Sequence, residues 1–338
     1  MRIIVDAFGG DYAPLEIMKG CAQAVEEYGV DILAVGSERI IREVCTQHKI
    51  SLERISITNV EKVIGAEVDP TEVVKSYDDS TLAVALKMLA NGEGDAFVGA
   101  GSTGAITVGA SLFVKRIKGI KRAALATVIP NQKGCYMLVD IGANKECRPE
   151  MLAQFGIMGS LYMENILRME KPRVGMINIG SEDSKGLALQ QEANELLLHA
   201  PVNFIGNVEP RYLPFGCCDV AVCDGFTGNV VLKLTEGLGK WFAGELKGIF
   251  MENVASKFGY LLVRDSVKQF KDKMDYKEYG GAPLMGIAKP VIKAHGSSDA
   301  RAFKNAIRQA KEYTERSVIA QIEAALMQMK QNTTNSQE

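Results

Sequence analysis

The sequence lacks the features that define several large classes of protein. No apolar run in its 338 residues approaches the roughly 20 residues that span a bilayer. The N-terminal segment enters a strand pattern at once, without a signal-peptide cleavage site, so we expect a cytosolic protein. The net charge is only -2, and this near balance argues against a dedicated nucleic-acid-binding protein.

Metal-binding patterns are also missing. None of the seven cysteines belongs to a C-x-x-C pair, and the three histidines lie far apart in the chain. Structural zinc ligands usually occur as closely spaced pairs. We therefore expect no metal site, and we expect reduced thiols, as in other cytosolic proteins.

Short β-branched runs alternate with stretches of helical periodicity along the chain. This alternation predicts an α/β fold, in which a mostly parallel sheet carries helices on both faces. The predicted strands are Arg2–Asp6, Asp31–Val35, Ile55–Thr58, Asp95–Val98, Ala124–Ile129, Tyr136–Asp140, Arg173–Ile179, Val202–Gly206 and Asp219–Cys223. The predicted helices include Leu15–Tyr28, Ser80–Ala90, Pro149–Met169, Leu187–Leu198 and Arg301–Met329.

No internal repeat and no Pro- or Ser-rich linker divides the chain. We therefore expect a single α/β catalytic domain over residues 1–330, with a helical excursion at about 238–278. The polar tail 331–338 (QNTTNSQE) is expected to be disordered, because it offers too little apolar surface to bury.

Glycine-rich polar turns follow five of the predicted strands. Ligands of open α/β sheets bind beyond the carboxyl ends of the strands, so five such turns predict a shared crevice. The turns lie at 6–14, 98–109, 140–144, 178–186 and 223–229.

The turn VGAGSTGAITVG at 98–109 contains G-x-G-x-x-G at Gly99, Gly101 and Gly104. In a dinucleotide-binding fold an acidic residue follows about 20 residues later and binds the ribose, but residues 115–122 are rich in lysine and arginine. An NADP-dependent oxidoreductase could use those cations and stays open as an alternative. A bare phosphate would bind the same glycine amides without a ribose ligand. A tight turn that serves helix packing alone is the third interpretation.

Two cationic or ionisable side chains in loops are candidates for chemistry. Lys185 could aim a cation at phosphate or at an oxyanion, or it could offset the charge of its acidic neighbours. His295 could donate to an anion beside a helix N-terminus, or it could be structural. Ser297 or Ser298 is expected to cap the helix that follows.

Neutral donors and carboxylates occupy the other turns. Asn144 and Asn229 could donate hydrogen bonds to a ligand, or they could be turn residues. Asp6, Asp11 and Asp224 could orient donors or cap helices. No Ser-His-Asp or Cys-His arrangement is recognisable from local sequence, so nothing points to a covalent nucleophile.

The segment 238–274 places large apolar side chains at helical spacing among lysines and arginines. Such a surface usually covers a core or a second subunit, and its aromatics and cations also suit the surface of a membrane. We expect dimer packing first and peripheral membrane contact second.

Nine motifs, in order and across nearly the whole chain, resemble the bacterial phosphate acyltransferases (PlsX) of phospholipid synthesis. They are VDAFGGDYAP, GAGSTGA, DIGAN, LAQFGIMGS, NIGSEDSKG, NFIGNVE, CDGFTGNVVLK, YGGAPLMG and VIKAHGSSD. The resemblance implies transfer of a fatty acyl group from acyl-acyl carrier protein to inorganic phosphate, and we expect no cofactor. It also implies a fold similar to phosphotransacetylases and isopropylmalate dehydrogenases, a homodimer, peripheral membrane association and delivery of acyl phosphate to a membrane glycerol-3-phosphate acyltransferase.

Three sites depart from the family pattern. Ser102 stands where the family usually has asparagine, so a hydroxyl replaces an amide donor. Phe8 replaces a methionine, and Lys145 and Glu146 stand where Val-Asp is common. Position 102 therefore does not have to be an amide.

The turns and the resemblance together predict that phosphate itself is the nucleophile. A thiol leaving group has a pKa of roughly 8.5 and requires little acid assistance. Gly101, Ser102, Thr103, Gly104, Ser297 and Ser298 are predicted to hold phosphate. Lys185 and His295 would assist them, while Asn144 and Asn229 would stabilise the oxyanion.

An acidic carrier protein is expected to dock on a basic face of the enzyme. The predicted docking residues are Lys115, Arg116, Lys118, Lys121 and Arg122. Besides the NADP-dependent oxidoreductase, two alternatives stay open: a phosphotransacetylase acting on acyl-CoA, and a membrane adaptor without enzymatic activity.

Overall fold

A computed structural model describes residues 1–273 and 280–335, with side chains for 1–268 and 280–329. The strands found there are β1 (Arg2–Asp6), β2 (Asp31–Gly36), β3 (Ile55–Asn59), β4 (Ala96–Gly99), β5 (Ala124–Asn131), β6 (Gly134–Val139), β7 (Arg173–Ile177), β8 (Asn203–Val208), β9 (Val220–Val222), β10 (Ala282–Met285) and β11 (Val291–Lys293). They form one sheet in the order β3-β2-β1-β4-β11-β10-β5-β6-β9-β7-β8.

Ten α-helices accompany the strands in the described ranges. They are α1 (Leu15–Tyr28), α2 (Glu38–Gln47), α3 (Thr81–Ala90), α4 (Thr103–Gly109), α5 (Pro149–Asn165), α6 (Ala188–Leu198), α7 (Gly225–Met251), α8 (Val254–Lys273), α9 (Ala300–Glu315) and α10 (Val318–Asn335). A π-helical turn, Ala110–Val114, continues α4.

The sheet is mostly parallel, and helices cover both of its faces. Seven of its ten described strand pairings are parallel. Along β1, Ile3 packs in one cluster with Met18 of α1 and Phe303 of α9, whereas Ile4 packs in another with Leu86 of α3. Alternate residues of a strand point to opposite faces, so this arrangement confirms the predicted α/β fold.

The two halves of the sheet run in opposite directions. Pairing is antiparallel between β11 and β10, between β10 and β5, and between β5 and β6. The turns after β1 and β4 therefore lie at one edge, and the turns after β6, β7 and β9 lie at the other. The five turns therefore do not share one edge of the sheet, because the three antiparallel pairings at its centre reverse the strand direction.

The strand register brings the two sets of carboxyl ends to nearly the same level at the centre of the sheet. Gly99 at the end of β4 pairs with Lys293, which pairs with Ala282. Two residues further along β10, Leu284 pairs with Leu125, whose N–H bonds to Asp140 just after β6. Two residues of strand span about 7 Å, so the two edges end close together along the strand direction.

Two strands and one helix break were not predicted. The strands β10 and β11 contain only four and three residues, and Pro283 and Pro290 interrupt their pattern. The predicted helix Arg301–Met329 is two helices, α9 and α10, because Ser317 adopts a positive φ of 51°. Neither glycine nor proline marks that break in the sequence.

The other differences concern element ends. The helix α5 ends at Asn165 rather than at Met169. The helix α10 continues to Asn335, so residues 331–335, which were expected to be disordered, are helical. Residues 274–278 of the expected helical excursion and residues 336–338 of the tail lie outside the described ranges.

The contact between α7 and the end of β6 gives a direct test of this packing. A Cβ at Gly228 would overlap the carbonyl oxygen of Asp140 and lie 2.9 Å from Cys223 Sγ. We expect Gly228→Ala to destabilise the protein by about 1–3 kcal/mol or more, as overpacking does, measured by chemical unfolding. Gly244→Ala, on the same helix with no atom within 4 Å, should be neutral or stabilising by up to about 1 kcal/mol. Equal stability of the two variants would contradict this packing.

Candidate functional site

A buried carboxylate organises the turn after β6. The side chain of Asp140 accepts hydrogen bonds from the backbone N–H groups of Leu125 (3.1 Å), Gly142 (3.1 Å), Ala143 (3.0 Å) and Asn144 (2.7 Å). Burial raises the pKa of this carboxyl, and the hydrogen bonds act in the opposite direction. The carboxylate therefore fixes the path of the turn 140–144, which is called the DIGAN turn below after its sequence.

Asn144 is part of the same network. Its Nδ2 donates to the carbonyl of Ala123 at 2.7 Å and to the Asp140 carboxylate at 2.9 Å. A side-chain amide has two hydrogens, so both are engaged. The amide of Asn144 would have to release one of these bonds to meet an oxyanion.

The first turn of α7 lies against the DIGAN turn. The N–H of Gly225 donates to the carbonyl of Asn144 at 2.7 Å, and a Cβ at Gly142 would lie 3.8 Å from the Asn229 Cβ. Asp224 caps the helix, since its carboxylate accepts from both the N–H and the Oγ1 of Thr227. In the described part of the chain, the Asn229 amide has no hydrogen-bond partner, so it is available to a ligand.

The turns after β1 and β4 are in direct contact. A Cβ at Gly9 would lie 2.6 Å from the Gly101 nitrogen and 2.9 Å from Oδ2 of Asp6. Asp6 is buried; burial raises the pKa of its carboxyl, and its hydrogen bonds with the Phe8 and Gly9 amides oppose that shift. Only a residue without a side chain fits between the two turns.

The remaining glycines of the G-x-G-x-x-G pattern serve packing. A Cβ at Gly99 would lie 2.7 Å from the Phe97 ring, and a Cβ at Gly104 would lie 2.5 Å from Pro70. Ser102 caps α4 with its hydroxyl, which accepts from the N–H of Ala105 at 3.4 Å. Thr103 is the first residue of that helix. A Cβ at Gly101 would meet only ordinary contacts, the nearest at 3.7 Å.

The loop after β11 reaches the same edge. The N–H of Asp11 donates to the carbonyl of Gly296 at 2.8 Å, which joins this loop to the turn after β1. The Nδ1 of His295 accepts the N–H of Ser297 at 3.2 Å and lies 2.9 Å from the Ser297 hydroxyl. An acceptor at Nδ1 leaves Nε2 of the neutral ring as the donor.

The predicted cap of the following helix is wrong. The N-cap of α9 is Asp299, whose carboxylate accepts the N–H of Ala302 at 2.9 Å. Ser298 is buried, and its N–H donates to the carbonyl of His295 at 3.0 Å. Ser297 instead orients the imidazole.

Lys293 is a site residue that the sequence analysis missed. It ends β11 beside Gly99, two residues before His295. Burial lowers the pKa of its ammonium group, while the carboxylates of Glu236 and Asp11 raise it. Glu236 belongs to α7, so this helix connects the two edges of the sheet. A lysine within a strand gave no local signal of this role.

Lys185 lies on a loop that three asparagines hold in place. Asn178 Nδ2 donates to the Lys185 carbonyl at 3.0 Å, and Asn207 Nδ2 donates to the Glu182 carbonyl at 2.8 Å. Asn194 donates to Asn207 at 2.8 Å. The Lys185 ammonium is 4.0 Å from Glu182 and about half exposed. None of these contacts brings the ammonium group to the Gly101 turn, so the role of Lys185 stays a prediction.

Three of the five predicted docking residues line a cavity of about 530 Å³. Arg116, Lys121 and Arg122 form one wall, and Arg148 with Glu146 and Glu150 forms the other. Lys115 and Lys118 are exposed on the same connector. The connector is pinned, because Gln154 accepts from the Lys121 N–H and donates to the Gly119 carbonyl.

The helices α7 and α8 expose a row of large apolar side chains. Trp241 and Phe242 are each 56% exposed, and Phe258 and Leu262 are 65% and 78% exposed. In the described ranges no helix combines the length and apolar content that a bilayer crossing needs, and no group of three or more His, Cys, Asp or Glu side chains could hold a metal ion. The exposed row is therefore a surface feature.

Two solved structures with a similar fold are phosphotransacetylases. A phosphotransacetylase from Streptococcus pyogenes superposes with a TM-score of 0.65 at 18% identity, covering 94% of each chain. The EutD phosphotransacetylase from Staphylococcus aureus gives a TM-score of 0.59 at 16% identity, covering 92% of this chain and 94% of that one. The chain thus has the phosphotransacetylase-like α/β fold that its motifs implied.

Sequence relatives are more specific. A family model described as "Fatty acid synthesis protein" matches residues 1–321. The phosphate acyltransferase of Clostridium novyi (strain NT) is 45% identical over 329 residues, which cover 97% of this chain and 99% of that protein. The phosphate acyltransferase of Alkaliphilus oremlandii (strain OhILAs) is 45% identical over 322 residues, 95% and 96% of the two chains. The chain belongs to this fatty acid synthesis protein family, which confirms the resemblance to phosphate acyltransferases.

The charges around His295 predict how it titrates. Partial burial and the cations of Lys293 and Lys240 lower its pKa, whereas Glu236 and Asp11 raise it. We expect an NMR titration midpoint below 6.5, so the ring is neutral at pH 7 and becomes cationic only in acid. Lys240→Gln should raise the midpoint and Glu236→Gln should lower it. A midpoint above 6.5, or shifts of the opposite sign, would show that this charge arrangement is wrong.

Proposed function

We propose that this protein transfers a fatty acyl group from the thioester of an acyl carrier protein to inorganic phosphate. The observation that carries the proposal is the meeting of three turns at one edge. There, Gly9 and Asp11 contact the Gly101 and Gly296 backbones. Lys293 and a neutral His295 supply the donors beside those turns. The phosphate acyltransferases among its relatives support the choice of reaction.

A small anion suits this edge better than a dinucleotide. The turn at Gly9 lies directly on the Gly101 turn, and residues 115–122, where an acidic ribose ligand would be expected, are rich in lysine and arginine. The proposed ligands of phosphate are the Gly101–Gly104 turn, Ser297 and the cation of Lys293, with the Nε2–H of His295 as an additional donor. Ser298 is buried and positions His295 through its backbone.

Phosphate is the nucleophile in the proposed reaction. One phosphate oxygen attacks the thioester carbonyl carbon, and the resulting tetrahedral oxyanion collapses with cleavage of the C–S bond. The electron pair of that bond leaves as thiolate, and the acyl group remains on phosphate. The protein has to hold the reactants together and stabilise the oxyanion, so no enzyme-bound nucleophile is required.

Asn229 is the proposed amide donor to the oxyanion. It begins the second turn of α7 and lies beside Gly142 of the turn after β6. Asn144, whose amide hydrogens are both engaged, acts instead as a positioning residue for Asp140 and for the start of α7. Lys185 would approach the reacting groups from the pinned loop after β7.

The carrier protein is proposed to dock on the exposed basic connector that holds Lys118 and Lys121. Both residues are exposed, and Lys121 also lines the cavity. An acidic partner would be attracted to them at a distance, and salt would screen that attraction.

The apolar row on α7 and α8 is proposed to pack against a second copy of this chain. Contiguous exposed apolar surface of this kind marks an interaction site, and a twofold axis would let each copy cover the other. A membrane surface is the other outcome of the test. Contact with a membrane would deliver acyl phosphate to a membrane glycerol-3-phosphate acyltransferase.

Phosphate-dependent thiol release tests the function. Purified protein should release thiol from an acylated carrier protein in phosphate buffer and form acyl phosphate. Lys293→Met should lower kcat/KM for phosphate about 10²–10³-fold, the typical cost of removing one charge-stabilising donor. Lys311→Met, on the surface of α9, is the matched control and should leave the rate unchanged. Higher ionic strength should raise KM for the carrier thioester.

Two results would contradict the function. One is thiol release that does not depend on phosphate. The other is turnover of a pyridine nucleotide in its place.

Light scattering on a sizing column tests the apolar row. We expect a dimer, and we expect Phe242→Ser with Leu246→Ser to give monomers, because each buried side chain contributes about 1.5–3 kcal/mol. Lys247→Gln on the same helix is the control. A monomeric wild-type protein would contradict the dimer. A blue shift of Trp241, the single tryptophan, on addition of anionic lipid vesicles would then identify the membrane as the partner.

A further inference from the structure

The cavity between the basic connector and the start of α5 has the lining of an anion site. Four cations, Arg116, Lys121, Arg122 and Arg148, face two carboxylates, Glu146 and Glu150, so its lining carries a net positive charge. Arginine is suited to phosphate because its planar guanidinium presents several N–H donors at once. The start of α5, a helix of 17 residues that begins at Pro149, borders the cavity through Glu150 and Met151.

The cavity is a built feature of the fold. Besides the two hydrogen bonds between Gln154 and the connector, the Arg116 guanidinium donates to the Lys121 carbonyl. The N–H of Ile117 donates to the Gly286 carbonyl at 3.0 Å, which ties the connector to the end of β10. The backbone of the cationic wall is thus held by hydrogen bonds within the protein, and its position does not depend on a ligand.

The opposite wall of the cavity is next in sequence to Asn144, which lies beside the start of α7 and the proposed oxyanion donor Asn229. Cys147 lines the cavity, and its Sγ lies 3.8 Å from the carbonyl of Asn144. The same carbonyl accepts the N–H of Gly225 in the first turn of α7. From Asn144 to Arg148 the chain takes four steps of at most about 3.6 Å each. A chain-like thioester bound at Asn229 would therefore reach the cavity with its distal end.

We propose that this cavity binds the phosphate ester of the acyl donor's pantetheine arm while the thioester lies at Asn229. The inference rests on the proposed function. Arg122 and Arg148 bind the phosphate oxygens, and the carboxylates of Glu146 and Glu150 accept N–H groups of the arm's amides. A carrier-protein arm and coenzyme A share this phosphorylated pantetheine, so the site recognises their common chemistry.

Truncated donors test the inference. Thiol release is measured with acyl-pantetheine 4′-phosphate and with acyl-pantetheine, which differ only in the phosphate group. The phosphorylated donor should have a kcat/KM at least tenfold higher, equivalent to about 1.4 kcal/mol. Arg122→Gln and Arg148→Gln should bring the ratio towards one by slowing only the phosphorylated donor, and Arg122→Lys should restore part of it. Arg39→Gln, on the surface of α2, is the control and should keep the wild-type ratio.

The outcomes distinguish a wrong assignment of the cavity from a wrong assignment of the function. A ratio near one in the wild-type protein, or a ratio that both arginine variants leave unchanged, overturns the cavity's role even if phosphate-dependent release continues. Absence of release from every donor instead overturns the function. The same variants are also assayed with acyl-CoA and with acylated carrier protein to identify the source of the arm. The physiological donor should have the larger kcat/KM with the wild-type protein, and that kcat/KM should fall in both arginine variants.

Discussion

The buried carboxylate of Asp140 is the interaction on which the candidate site depends. Its oxygens accept hydrogen bonds from β5 and from four donors of the DIGAN turn. Its backbone N–H bonds to the Cys223 carbonyl at the end of β9. Removing such a carboxylate would leave several buried N–H groups unsatisfied, each at a cost of about 1–3 kcal/mol. Because α7 starts on this turn, the carboxylate also sets where Asn229 and the cavity wall lie.

The helix α7 explains how a sheet with two opposed halves can form one site. Its N-terminal turn lies at the edge formed by β6 and β9, and Glu236, further along, interacts with Lys293 and His295 at the other edge. Burial lowers the pKa of the Lys293 ammonium group, and the carboxylate of Glu236 opposes that shift. Both halves thus contribute to the site although their strands run in opposite directions.

The sequence predicted the features that depend on local patterns. Nine strands and the layered α/β arrangement follow from β-branched runs and helical periodicity. The features it could not predict depend on tertiary contacts. The break at Ser317 and the short strands β10 and β11 carry no turn signal of their own. The engagement of Asn144 and the placement of Lys293 follow only from how distant elements meet.

The G-x-G-x-x-G pattern shows why such a motif is ambiguous on its own. Gly99 and Gly104 are required because Phe97 and Pro70 occupy the space of a side chain, a packing role that needs no ligand. Gly101 differs, since a methyl group there would meet only ordinary contacts, while its amide lies against Gly9. Packing therefore explains two of the three glycines, and the remaining position is the one whose backbone lies against the turn after β1. An anion site at this turn is thus argued from its neighbours across the sheet rather than from the spacing of the glycines.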